Sequence, residues 1–313
     1  MGTGNPREQV EELDYKGLAF SYRMVECEAP VTEPFVVLSG AYQDKFSYRR
    51  FDKYWQDTAT IVCVDLPGSR TADPVPAEGG YDIQTEALAH LIDELGLSRV
   101  NLLGISNGFP AAYRYAQQSP SRVSRLALAG AADWPPRNRE RMTQLYPVLA
   151  AGRFPEFAEG ALDLLMCLDP AVTVRNREIV HRALNSRFST VEEADLPGYL
   201  NVSHLLLQDG VVLPGGISGV PSLCLVGEHD TFATMEGARA LAAEIEGALF
   251  AVIPEADHLV FLGRAAEWAE TIARFFTDRP LEELDFLSSL ETLGRPAADR
   301  GSSSISLEGS LHV

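Results

Sequence analysis

Residues 99–110 read R-V-N-L-L-G-I-S-N-G-F-P. The apolar run from Val100 has the character of a buried strand, and the residues from Gly108 to Gln118 have the period of a helix. Between the two stands Ser106, in G-I-S-N-G, with Gly104 and Gly108 two residues to either side. One reading is a plain strand-to-helix turn. The other is a strained elbow that lifts a serine hydroxyl clear of the backbone, with glycines because so tight a turn leaves no room for larger neighbours. The pentapeptide alone does not choose between them.

Its surroundings narrow the choice. Upstream, short apolar runs predict strands over 18–25, 34–40 and 60–65, with helical period over 46–56. Between 83 and 95 a helical face is formed by Ile83, Ala87, Leu88, Leu91, Ile92 and Leu95. Downstream, Leu126-Ala-Leu-Ala-Gly130 makes a further strand. Strands and helices alternate again over 222–227, 237–245, 248–253 and 264–276. Such alternation predicts an α/β fold, a mostly parallel sheet with helices on both faces. From Trp134-Pro-Pro to about Gly219 the pattern is helical, with no buried strand before Val211. The expected organisation is therefore an N-terminal extension over 1–15, a core over 16–133 and 220–279, a helical insertion over 134–219, and a tail over 280–313. That tail holds one short amphipathic stretch, L-E-E-L-D-F-L-S-S-L. It ends in G-S-S-S-I-S-L-E-G-S, whose low complexity predicts disorder.

Composition excludes several function classes. The chain has 313 residues, 46% hydrophobic and 22% charged, with a formal net charge of −18. No cationic surplus is available to neutralise phosphates, so neither a nucleic acid nor an anionic membrane is an expected partner. The four cysteines, Cys27, Cys63, Cys167 and Cys224, have no metal-type spacing and read as small buried hydrophobes. Residues 1–10 are polar, and no run of about 18 apolar residues occurs, so a cytoplasmic protein is expected. The sequence leaves the oligomeric state open.

A serine hydroxyl needs a base before it can attack. Of six histidines, His258 follows I-P-E-A-D, in the loop between the last strand and the last helix, where a base would be held over the elbow. His229 also follows a strand but reads as an exposed neighbour. A carboxylate should fix the imidazole tautomer. Asp230, in L-V-G-E-H-D-T, lies just beyond the preceding strand. Asp133, beyond the strand L-A-L-A-G-A-A, is the alternative acid.

Taken together, L-S-G-A-Y-Q (38–43), D-L-P-G-S-R-T (65–71), G-I-S-N-G (104–108), G-E-H-D (227–230) and A-D-H (256–258) resemble the α/β-hydrolase superfamily across about residues 16–279. The resemblance implies Ser106 as nucleophile, Asp230 as acid and His258 as base, with a helical cap over 134–219. It also implies an oxyanion hole from the backbone N–H groups of Asn107 and Ala41. Two departures stand out: Ser39-Gly40 where members often have His-Gly, and G-S-R-T at 68–71 where they often have G-H-G-x-S. Tyr42, Gln43 and Phe46 follow the oxyanion loop and are candidates for the substrate pocket, or for packing under the cap. The implied activity is a serine hydrolase acting on an ester or thioester, with a small-molecule or carrier-bound acyl substrate and no metal or organic cofactor. An acyltransferase, a carbon–carbon lyase or hydrolase, and an idle ligand-binding scaffold are the alternatives.

Overall fold

The computed structural model describes residues 8–76, 78–208 and 210–294. Among the described residues nine strands make one sheet: β1 Glu8–Tyr15, β2 Leu18–Val25, β3 Phe35–Leu38, β4 Ile61–Asp65, β5 Val100–Ile105, β6 Val123–Ala129, β7 Ser222–Gly227, β8 Leu249–Ile253 and β9 Ser289–Thr292. Their order is β1-β2-β4-β3-β5-β6-β7-β8-β9. The six from β3 to β8 run parallel, and β1, β2 and β9 are antiparallel additions at the edges.

The helices are α1 Asp52–Trp55, α2 Gly80–Glu94, α3 Phe109–Gln118, α4 Pro136–Ala150, α5 Phe154–Leu165, α6 Arg177–Ser189, α7 Leu196–Leu206, α8 Met235–Ala243, α9 Val260–Gly263 and α10 Ala265–Phe276. Side chains alternate across the central strands, so each strand feeds two cores. Val36, Leu38, Val62 and Val64 pack with Leu88 and Leu91 of α2 and Ala112 of α3 on one face. Phe35, Val37, Ile61 and Cys63 pack with Trp55, Trp268, Ile272 and Phe276 on the other. This two-sided burial explains the continuous apolar runs in the sequence.

Helices α4 to α7 leave the sheet between β6 and β7 and lie against the loops at the strands' C-terminal ends. Asn201 of α7 brackets Val75, accepting its N–H at 3.2 Å and donating to its carbonyl at 3.0 Å. Asn138 of α4 donates to the Phe232 carbonyl at 2.9 Å. Val211 is buried but belongs to no strand.

Three local expectations need correction. Residues 46–56 form only a 3-10 turn at Arg49–Phe51 and the four-residue α1. The stretch 1–15 is not merely an extension, because β1 lies inside it. Its charged residues disguise an edge strand, turned into β2 by Lys16 and Gly17, both at positive φ (55° and 83°) as a two-residue hairpin requires. The segment expected as a tail from 280 begins inside the fold: Leu281 and Leu284 are buried in turns, and β9 then pairs with β8. The low-complexity end lies outside the described residues. Among the described residues, no helix is long and apolar enough to cross a membrane.

Candidate active site

The elbow is built by contact as much as by conformation. Ile105 is extended, Ser106 takes φ +46°, and a 3-10 turn over Ser106–Gly108 leads into α3. A left-handed serine costs about 1–3 kcal/mol and persists only where its surroundings over-determine it. The two glycines supply that closeness without themselves needing positive φ. A Cβ on Gly104 would stand 2.7 Å from Ala112 Cβ, and one on Gly108 would stand 2.5 Å from the Leu38 carbonyl oxygen. Only glycine lets α3 press so closely on β5 and lets the elbow sit against the end of β3.

Three expected residues from distant parts of the chain meet here. Ser106 Oγ lies 2.9 Å from His258 Nε2, and His258 Nδ1 lies 2.8 Å from Asp230 Oδ2. An ionised carboxylate only accepts, so Nδ1 carries the proton and Nε2 is left to accept from the serine. The other oxygen of Asp230 accepts the backbone N–H groups of Phe232 (2.9 Å) and Ala233 (2.7 Å), which fixes the carboxylate's orientation. All three side chains are buried, with Ser106 9% exposed.

Sheet order explains how they meet. Asp230 and His258 follow the adjacent strands β7 and β8, whereas Ser106 follows β5, two places from β7. Imidazole must therefore cross the end of β6. Gly130 occupies that end, at φ +59°, with a virtual Cβ 3.0 Å from His258 Cε1. The Asp230 and His258 loops also touch: His229 N–H donates to the Ala256 carbonyl at 2.8 Å, and a Cβ on Gly227 would meet the Asp257 carbonyl at 2.4 Å. Phe232 covers the imidazole with ring centroids 4.9 Å apart.

Burial opposes the charged imidazolium, but the facing Asp230 carboxylate, with a smaller push from Asp257, outweighs it and holds His258 above the ordinary value of 6.5. Asp257 is itself buried, which raises its pKa; its oxygens accept from Leu259 N (3.0 Å) and from Cys167 N (3.2 Å) in the loop after α5.

The alternative acid, Asp133, is exposed and takes no part in the His258 pair, which Asp230 fills. His229, expected to be exposed, is half-buried, with its ring 3.5 Å from the Glu228 carboxylate. Ala41 lies in a turn closed by Gln43 N–H on the Gly40 carbonyl (3.3 Å) and by Gly40 N–H on Gln43 Oε1 (3.0 Å). This turn packs on the elbow, where a Cβ on Gly40 would be 3.6 Å from the Ile105 carbonyl. Asn107 follows Ser106, and its side-chain oxygen accepts from the Tyr81 hydroxyl at 2.9 Å. Of the pocket candidates, Gln43 is committed to its own turn, also accepting from Tyr48, and Tyr42 is buried among the helices above it. Phe46 is 40% exposed, beside Lys45 and Arg49. Lys45 itself is buried against Asp65 at 3.1 Å, which ties the loop to the end of β4. Among the described residues, no group of three or more His, Cys, Asp or Glu side chains is placed to hold a metal ion.

Gly130, Gly227, Phe232 and Asp257 are site residues to which the sequence motifs assign no role, although Gly227 and Asp257 stand inside G-E-H-D and A-D-H. The faint signals are a glycine closing each of β6 and β7, and a second acidic residue beside His258.

A serine on a strained elbow, bonded through histidine to an aspartate at the C-terminal edge of a mostly parallel sheet, defines a class, and the comparisons agree with it. The family model described as alpha/beta hydrolase fold matches residues 33–265, and the chain belongs to that family. A stretch of 71 residues is 39% identical to the 2-hydroxy-6-oxononadienedioate/2-hydroxy-6-oxononatrienedioate hydrolase 2 of Pseudomonas putida, covering 22% of this chain and 25% of that one. The match thus spans about a quarter of that relative's length. Among solved structures, an alpha/beta hydrolase from a Medee basin deep-sea metagenome library aligns with a TM-score of 0.73 at 17% identity, covering 87% of this chain and 98% of that one. The enol-lactonase from Burkholderia xenovorans aligns with a TM-score of 0.68 at 22% identity, covering 85% and 100%. At these identities the two structures share the fold.

Proposed function

We propose that this chain is a serine hydrolase that cleaves an ester or thioester through an acyl-enzyme on Ser106. The observation that carries the reading is the unbroken buried chain of hydrogen bonds from Ser106 through His258 to Asp230. His258 Nε2 takes the Ser106 proton as Oγ attacks the carbonyl carbon, and Asp230 stabilises the imidazolium that forms. The backbone N–H groups of Asn107 and Ala41 receive the oxyanion; such a donor is worth about 2.7–4 kcal/mol. His258 then protonates the leaving alcohol or thiol. Water, activated by the same imidazole, clears the acyl group.

A second reading has its own support in the Pseudomonas putida relative. The substrate in that relative's name is a hydroxy-oxo diacid without an ester, so its hydrolysis must break a carbon–carbon bond. The same serine, base and oxyanion donors would serve a ketone whose departing carbon can hold charge. One panel separates the readings: p-nitrophenyl esters, acyl thioesters and a 6-oxo-dienoate, each with the native chain and with Ser106→Ala. Turnover of esters or thioesters that Ser106→Ala abolishes supports the first reading. Turnover of the oxo acid alone supports the second. Acyl transfer to an added alcohol would make the chain an acyltransferase. No turnover, with no labelling by a fluorophosphonate, would make it a binding scaffold.

A further inference from the structure

Tyr42, next to Ala41, is held by three helices of the cap. Its ring stacks on Tyr199 of α7 with centroids 5.0 Å apart, and it meets Phe157 of α5 and Phe188 of α6 edge-on at 5.8 and 5.6 Å. Its hydroxyl lies 2.9 Å from Ser203 Oγ on α7. Ser203 donates its own proton to the Tyr199 carbonyl at 2.9 Å, so the Tyr42 hydroxyl is the donor. Finally, the Tyr42 carbonyl accepts from Arg187 Nη2 of α6 at 2.6 Å.

All these contacts converge on a backbone that needs holding. Tyr42 sits at φ +60°, a region that disfavours any residue with a Cβ. Within the loop, the Gly40–Gln43 turn, backed by the Tyr48 hydroxyl on the Gln43 side chain, and the Lys45–Asp65 pair hold the residues on either side of Tyr42. The remaining constraints come from α5, α6 and α7. Relaxation at Tyr42 would redirect the chain beside it, and Ala41 is the residue next in line.

We propose that Tyr42 is a positioning residue through which the cap sets the oxyanion loop, so that the Ala41 N–H is aimed correctly only while the cap is seated on Tyr42. The proposal rests on the serine-hydrolase reading. It assigns Arg187 and Ser203 a part in transition-state stabilisation without contact with substrate. Enclosing the substrate and completing the oxyanion hole become one event, since the same helices do both.

The test compares the native chain with Tyr42→Phe, Arg187→Gln and Arg187→Lys. It measures kcat and KM on a p-nitrophenyl ester, and Ki for a phenylboronic acid, whose adduct with a serine mimics the tetrahedral intermediate. Expected is a fall in kcat of about tenfold for Tyr42→Phe and about 10- to 100-fold for Arg187→Gln, with KM within about twofold. Boronate binding should weaken in the same proportion, and Arg187→Lys should recover part of the loss. Circular dichroism and the melting temperature establish that each variant is folded. Unchanged kcat in both Tyr42→Phe and Arg187→Gln, or a rise in KM alone, overturns the proposal while leaving the hydrolase reading intact. A native chain that neither turns over the ester nor takes up a fluorophosphonate at Ser106 overturns both.

Discussion

His258 reaches Ser106 by passing over Gly130, and the space it uses is the space a side chain there would fill. A Cβ on Gly130 would lie 3.0 Å from His258 Cε1 and 3.3 Å from Nδ1. Gly130→Ala should therefore displace the imidazole, besides straining a residue at φ +59°. We predict a fall in kcat/KM of about 100-fold, the scale set by a displacement near 1 Å in a reacting group. Steady-state kinetics alongside thermal melting check this; a folded Gly130→Ala variant of native activity would show that the imidazole has slack.

Exchange of the two candidate acids should give opposite results. Asp230→Asn removes the charge facing His258 and lets the wrong tautomer form, so kcat should drop by about 10⁴-fold. Asp133→Asn, at an exposed position outside the pair, should stay within about twofold of the native chain. Comparable losses in both would put the acid in doubt.

The raised pKa of His258 fixes the direction of the pH profile. The base must be neutral, so kcat/KM should rise with pH through a midpoint above 6.5. Stability runs the other way. The imidazolium's favourable contacts with Asp230 and Asp257 stabilise the fold fully below the unfolded pKa, and this contribution is lost as pH rises through the higher folded value. Asp257→Asn removes one of the two negative charges near the ring, so its activity midpoint should move to lower pH. A midpoint unmoved in Asp257→Asn would mean that Asp257 only anchors the Cys167 loop.

Gly108→Ala tests the elbow's packing. The added methyl would stand 2.5 Å from the Leu38 carbonyl oxygen, a backbone atom that cannot rotate away. We expect about 1–3 kcal/mol of destabilisation, the range for overpacking, measured by urea unfolding. Activity should fall further than stability alone accounts for, because Asn107 precedes the displaced residue.

Ser106, Asp230 and His258 are legible in the sequence because each lies within a few residues of the end of a run that reads as a buried strand. Strand ends in a parallel sheet gather at one edge whatever the loops do. Gly130 is not legible in the same way: its role depends on which neighbouring loop crosses it, a fact of strand order rather than of local pattern. β1 escapes notice because an edge strand facing water can be built from glutamates. Tyr42 could be read as facing substrate or as packing under the cap, since helical period says which residues share a face but not where that face is turned.

Strands β6 and β7 are hydrogen-bonded neighbours, with Leu126 opposite Ser222, yet the whole α4–α7 excursion separates them along the chain. The detour leaves the sheet and returns beside its point of departure. Its length is thus free of the sheet's register, and Ser106, Asp230 and His258 are all supplied from outside it. Substitution, shortening or wholesale replacement of those helices can change what reaches the serine without moving the strands that carry the three residues. New substrate ranges can therefore arise here by exchange of one contiguous segment. The limit on that freedom is Tyr42: a replacement segment must still hold it.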